Sequence, residues 1–234
     1  MKAFNFAALL VVAFLASSSG QANAGKKKST DAEPATAPAL ADDSTAKPEV
    51  RKTYDGPFGL AMGISVAELQ GDYGFKRDRK KLGYFEGQPP KPVNGMDSYF
   101  AVATKGQGVC KIGATVIVEI TNDFGDQIKA EADRVAELVQ LKYGKYTEKV
   151  DYIKDDDHKG RSDFWTYDLE KQLNAYSYHW GGGKKGIALP NNIKSIEVAS
   201  VATALSKGYI LVSYEFNNFG DCLTEIKKQN SSNL

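Results

Sequence analysis

The stretch at residues 110–143 changes its hydrophobic period partway along, and that change limits the folds open to the chain. Cys110, Ile112, Ala114, Val116, Val118 and Ile120 alternate with Lys111, Gly113, Thr115, Ile117 and Glu119, the period of a strand with one face buried. After a break at Asn122-Asp123-Phe124-Gly125 the period becomes helical. Ile128, Ala132, Val135, Leu138 and Val139 recur along one side, with Lys129, Glu131, Asp133, Arg134 and Glu137 around the other. Gly144 supplies the stop. A long strand feeding a long amphipathic helix calls for a sheet on which both can bury their apolar sides. The unit carries no catalytic signature.

The N-terminus predicts where the chain works. Lys2 makes a basic start, residues 4–16 are apolar except Asn5, and Ala22-Asn23-Ala24 has the small-x-small form of a signal-peptidase site. The apolar run is shorter than the roughly 20 residues that span a bilayer. Residues 1–24 therefore read as a cleaved signal peptide, with no lipobox cysteine, and the expected destination is the periplasm or the exterior. Residues 25–51 are rich in Ala, Pro, Lys, Ser, Thr and Asp and too poor in apolar side chains to offset their chain entropy, so they read as a disordered tether. Residues 52–228 are expected to form a single domain and 229–234 a polar tail. Lys and Arg number 30 against 29 Asp and Glu, and losing Lys2 with the signal peptide leaves a formally neutral chain. That balance gives no reason to expect nucleic acid, and no second apolar run is long enough to cross a membrane.

Within the domain, several motifs have plain structural readings. Gly63-Ile64-Ser65-Val66-Ala67-Glu68-Leu69 superficially matches a nucleophile elbow, but Ser65 and Glu68 have capping-box spacing, with Ile64 and Leu69 placed as a hydrophobic staple. Phe75-Lys76-Arg77-Asp78-Arg79-Lys80-Lys81 is a basic cluster, able to meet an acidic partner and otherwise a solvated turn before a strand at 82–85. Gln88-Pro89-Pro90-Lys91-Pro92 cannot pair in a sheet. Strand 98–104, a turn, and the Cys110 strand form a hairpin. Residues 146–153 read as a short strand. Asp155-Asp156-Asp157-His158 lacks metal-ligand spacing and reads as an acidic turn. Gly181-Gly182-Gly183-Lys184-Lys185-Gly186 lacks the ending of a phosphate loop and reads as a hairpin tip. No metal or other cofactor is expected.

An aromatic hairpin is predicted next. Trp165, Tyr167 and Leu169 share one face of its first strand and Tyr176, Tyr178 and Trp180 one face of its second, about a turn near Glu170-Lys171-Gln172. Such rings are either sheet core or an exposed platform for a partner. Trp165, Tyr167, Tyr176, Tyr178 and Trp180 are the candidate binding residues, and His179 points to the opposite face. Strands 193–202 and 209–216 close the domain, followed by a short helical turn near Cys222.

Gly63-Ile64-Ser65-x-x-Glu68-Leu69, Gly108-Val109-Cys110-Lys111-Ile112, Lys142-Tyr143-Gly144-Lys145 and Tyr214-Glu215-Phe216-Asn217-Asn218-Phe219-x-x-Cys222 occur in this order. Together they resemble a group of small secreted proteins of Gram-negative bacteria of unknown function, which implies export and a paired Cys110 and Cys222. The same pairing follows from the count, since the chain has 2 cysteines and an exporting N-terminus. Internally, Tyr73-Gly74 and Tyr143-Gly144 each follow a helix and precede antiparallel strands. This resembles the tandem helix-plus-sheet units of bacterial envelope-assembly lipoproteins and lactamase-inhibitor proteins.

The expected fold is therefore α+β: an antiparallel sheet of about six or seven strands packed by the helix at 126–143, with a short helix at Ser65. The alternative is two tandem helix-plus-sheet units. The functional expectation is an exported, non-catalytic interaction module of the bacterial envelope that binds a protein or cell-wall partner through its sheet surface, with no catalytic residue assigned. An envelope structural or assembly factor is one alternative. An enzyme whose carboxylates meet only in the fold, Glu215 with Asp168, is another.

Overall fold

The computed structural model describes residues 52–153, 158, 160–182 and 187–232. The segments read as signal peptide and tether lie outside the described residues, as do Asp155, Asp156, Asp157 and the loop residues Gly183, Lys184, Lys185 and Gly186.

The first α-helix among the described residues is α1 (Val66–Gly71), where the Ser65 hydroxyl accepts the Glu68 amide at 3.1 Å. Only half of the capping box forms, because the Glu68 carboxylate takes the Tyr54 hydroxyl at 2.7 Å. Strands β1 (Lys76–Arg77), β2 (Tyr84–Glu86), β3 (Ser98–Thr104) and β4 (Gly108–Glu119) follow. Helix α2 (Asp126–Tyr143) spans the residues its period predicts. Asn122 Oδ1 accepts the Phe124 and Gly125 amides, and the Gly144 amide closes the far end on Gln140. Its buried stripe is Ile128, Ala132, Val135, Ala136, Val139 and Tyr143; Leu138, expected inside, is 39 % exposed. The second half continues with β5 (Glu148–Ile153), α3 (Trp165–Glu170), β6 (Asn174–Gly181), β7 (Ile193–Ala204) and β8 (Lys207–Phe216). Helix α4 (Phe219–Ser231) ends the described chain and runs past the expected start of a polar tail at 229.

The described strands form one antiparallel sheet of eight, in the order β1-β2-β3-β4-β8-β7-β6-β5, larger than the six or seven expected. Its connectivity is a four-stranded meander introduced by α1 and a second introduced by α2, fused where the last strand of each pairs with the other. That seam runs from Lys111 opposite Glu215 to Glu119 opposite Lys207. Two separate smaller sheets are not what forms. The Tyr-Gly echo nevertheless marks equivalent points, since Gly74 and Gly144 both have positive φ, at 68° and 80°.

Alternation divides the sheet into two faces. On the first, Ile112 lies opposite Tyr214, Ala114 opposite Val212 and Val116 opposite Ile210; Ile196 and Val198 of β7 extend the row toward Trp180 and Tyr178 of β6. These side chains and the buried stripe of α2 belong to one hydrophobic core. Phe58 plugs it from the N-terminal side, with T-shaped contacts to Tyr99 at 5.1 Å and Tyr214 at 5.6 Å. The second face carries Lys111, Thr115 and Ile117 of β4 and Glu215, Ser213 and Leu211 of β8. There α4 is fastened by a Cys110–Cys222 disulfide and by Glu225, which takes the Thr104 hydroxyl at 2.5 Å and the Gly106 amide at 3.1 Å. No helix among the described residues is long and apolar enough to cross a membrane.

Candidate functional site

The aromatic candidates are placed differently from expectation. Trp165–Glu170 is a helical turn and not a strand, so no aromatic hairpin exists there. Its buried residues are Trp165, Thr166, Asp168 and Leu169, a helical set that the period-two reading of Trp165, Tyr167 and Leu169 missed. Two of the four are polar and are held inside by hydrogen bonds: Thr166 donates to the Asn122 carbonyl, and Asp168 meets His158. On β6, Tyr176, Tyr178 and Trp180 face the core as predicted for one strand face, each 5 % exposed or less, and Trp165 is 3 % exposed. Tyr176 and Tyr178 both donate to Asp133 Oδ1 on α2, and Trp180 Nε1 donates to the Gly144 carbonyl at 2.7 Å. These four rings are core and cannot serve as an exposed platform; Tyr167 alone of the five is well exposed, at 40 %.

The acids named for a site assembled by folding have separate partners. Glu215 on the second face is paired with Lys111 at 3.0 Å, directly across the β4–β8 seam. Asp168 is fully buried and meets His158 Nδ1 at 2.7 Å, with the His158 ring stacked on Phe164 at 4.3 Å. His179 bonds to Ser177 on its own strand. Ser65 is spent as a helix cap. Among the described residues no group of three or more His, Cys, Asp or Glu side chains is placed to hold a metal ion.

What folding does assemble is a basic cleft at the β1 edge of the sheet. The hairpin from β1 to β2 is built by Asp78, whose Oδ1 accepts the amides of Lys80 at 2.6 Å and Lys81 at 3.1 Å. Those amide bonds, led by the one from Lys80, hold the Asp78 carboxyl below the usual carboxylate range. Gly83 then adopts φ +75°, and a Cβ there would stand 2.9 Å from Ile226 and 3.2 Å from the Ala103 carbonyl oxygen. Its lack of a side chain lets α4 close onto the hairpin. This brings Asn230 from α4 and Gln70 from α1 to a solvent-open cleft of about 930 Å³ whose charged wall is Lys76, Arg77, Asp78, Arg79 and Lys80. Phe75 and Leu82 supply apolar lining.

The electrostatics of this cleft are one-sided. Residues 76–81 hold five cations and one acid in a chain whose formal net charge is +1. Lys76, Arg77, Arg79 and Lys80 are exposed, and none forms a close ion pair with a carboxylate among the described residues, although Lys80 lies near enough to Asp78 to attract its charge. The one acid in the wall has an oxygen committed to the turn. Like charges held this close repel unless a counter-charge arrives, so the arrangement favours an anion. The sequence singled out the cluster, but β1, the approach of α4 and the converging carboxamides needed the fold.

No protein-family model matches the chain, and no curated protein or solved structure matches it at a significant level.

Proposed function

We propose that the protein is an exported, non-catalytic interaction module of the bacterial envelope, periplasmic or secreted, that holds a protein or cell-wall partner at the surface of its sheet. The contact is assigned to the basic β1 edge, and not to the aromatic rings of β6 and α3. The observation that carries this reading is the set of four exposed cations around one cleft against a single acid, with no close ion pair to any of them among the described residues. Surface cations are ordinarily interspersed with acids; such local segregation steers and holds a partner of opposite charge. The disulfide is compatible with an oxidising compartment outside the cytoplasm. On this reading α2 lies over the first sheet face, α4 is fastened at one end of the second, and the β1 edge is the part assigned to recognition.

The test is affinity capture from envelope extract with the tagged, processed protein and with an Arg77→Glu/Arg79→Glu variant. A stoichiometric partner that is captured by the parent and lost by the variant, at an unchanged melting temperature, supports the module and its site. Equal capture by both removes the site. Turnover of an envelope substrate that vanishes on changing one buried acid, with folding intact, overturns the non-catalytic assignment.

A further inference from the structure

We infer that the β1-edge cleft recognises phosphate groups, an inference that rests on the interaction-module reading and specifies its ligand. Three features of the cleft bear on this. The first is donor type. Arg77 and Arg79 carry planar guanidinium forks that meet phosphate oxygens in pairs, while Lys76 and Lys80 add compact charges. The Gln70 and Asn230 carboxamides complete the wall with neutral donors. The second is charge density. Four cations against one acid in the wall leave about three positive charges, more than a lone carboxylate neutralises, and suit a group bearing nearly two charges on a few oxygens, or several such groups side by side.

The third is the shape of the edge. β1 is only two residues long and basic throughout. A short, cation-rich edge strand is the kind that resists the addition of another strand. An acidic peptide laid along the sheet would therefore find almost no ladder to pair with. A phosphate needs none, because side-chain donors alone surround it.

The chemistry has two sources, a phospholipid headgroup or a soluble phosphate ligand, and the experiment separates them. The processed protein is titrated at low salt with inorganic tripolyphosphate by calorimetry, with a polyglutamate peptide in parallel. It is also sedimented with phosphatidylcholine vesicles with and without phosphatidylglycerol. Binding to tripolyphosphate alone assigns a soluble phosphate; binding to the phosphatidylglycerol vesicles assigns the headgroup. Both sustain the inference. In either case Arg77→Gln/Arg79→Gln weakens binding about thirty-fold, at about fivefold per cation near an anionic surface, and raised salt weakens it steeply. Lys145→Gln/Lys171→Gln leaves binding unchanged. Lys76→Gln/Lys80→Gln repeats the test should the arginine variant prove unstable by its melting temperature.

Three results overturn the inference: no binding of either phosphate probe, equal weakening by the distant lysine pair, or binding of polyglutamate without phosphate. The last would leave the interaction module standing at the same edge, with an acidic protein as its partner. Capture of an envelope partner equally by parent and arginine variant would instead remove the module's site and this inference with it.

Discussion

Cys222 reaches Cys110 at the one point where β4 carries an extra residue against β3. Lys111 pairs with Val102 and Val109 with Ala103, so Cys110 stands between them with no partner on the neighbouring strand. A bulge turns its side chain out of the ladder, and the disulfide uses that departure to fix α4 to the sheet. The bond joins residues 112 apart in sequence and supplies up to roughly 4–5 kcal/mol by chain entropy. Intact mass of the native protein is expected to rise by two hydrogens on reduction. A Cys110→Ala/Cys222→Ala variant unfolds at lower urea than the parent. Two thiols titrating in the unreduced protein would contradict the pairing.

Tyr178→Ala is expected to cost about 3–5 kcal/mol, the usual range for emptying an aromatic site in a packed core. The ring is 5 % exposed, and its hydroxyl reaches Asp133 on α2. Urea denaturation checks the value. A variant as stable as the parent would return Tyr178 to the surface.

Gly125→Ala probes the junction of α2 with α3. Gly125 has φ +72°, and a Cβ there would stand 2.0 Å from the Trp165 ring. The strained backbone and the clash together predict a loss of about 2–4 kcal/mol, read as a fall in melting temperature. Gly144→Ala, at φ +80° but with nothing within 4 Å of its Cβ, is expected to lose less.

Alkali is expected to weaken the fold through its tyrosines. Burial pushes the Tyr143 phenol from 10.0 up to about 12, and Tyr214, packed 5.8 Å from it, moves the same way through burial and then Tyr143. A raised folded-state value means that folding favours the neutral phenol. The contribution is whole below pH 10 and is lost as pH rises toward about 12, where the unfolded chain ionises first. Stability followed against pH tests this, and Tyr143→Phe flattens the decline.

Arg79→Gln, by contrast, leaves stability within about 0.5 kcal/mol, because the side chain is exposed and forms no ion pair among the described residues. A large loss would mean that the cluster holds the fold together and is not reserved for a ligand.

Period and punctuation carried most of the architecture. The alternation from Cys110 to Ile120 and the helical stripe from Ile128 to Val139 were plain, because a sheet face and a helix side each leave a regular mark. Tyr73-Gly74 and Tyr143-Gly144 hinted at the repeated helix-then-meander plan. The joining of β4 to β8 was invisible, since strand partners far apart in sequence leave no local signature. Trp165, Tyr167 and Leu169 misled for a related reason. Over six residues a helix with two buried polar positions, Thr166 and Asp168, imitates a strand, and the hydrogen bonds that admit those residues come from distant Asn122 and His158. The basic run at 76–81 was legible as charge, but a cleft exists only where α1 and α4 end beside it.

The seam between the two meanders has a consequence for synthesis. A chain emerging from its N-terminus completes β4 long before β8, with α2, α3 and three strands still to be made between them. Through that interval one margin of the longest strand of the first half, with Ile112, Ala114, Val116 and Val118, lacks the mate it has in the finished pairing. An unfilled margin of this kind recruits other chains. The nascent protein therefore passes through a window in which a holding chaperone, or rapid completion, separates folding from aggregation. Truncations ending just before Lys207 are expected to be far less soluble than those ending after Phe216.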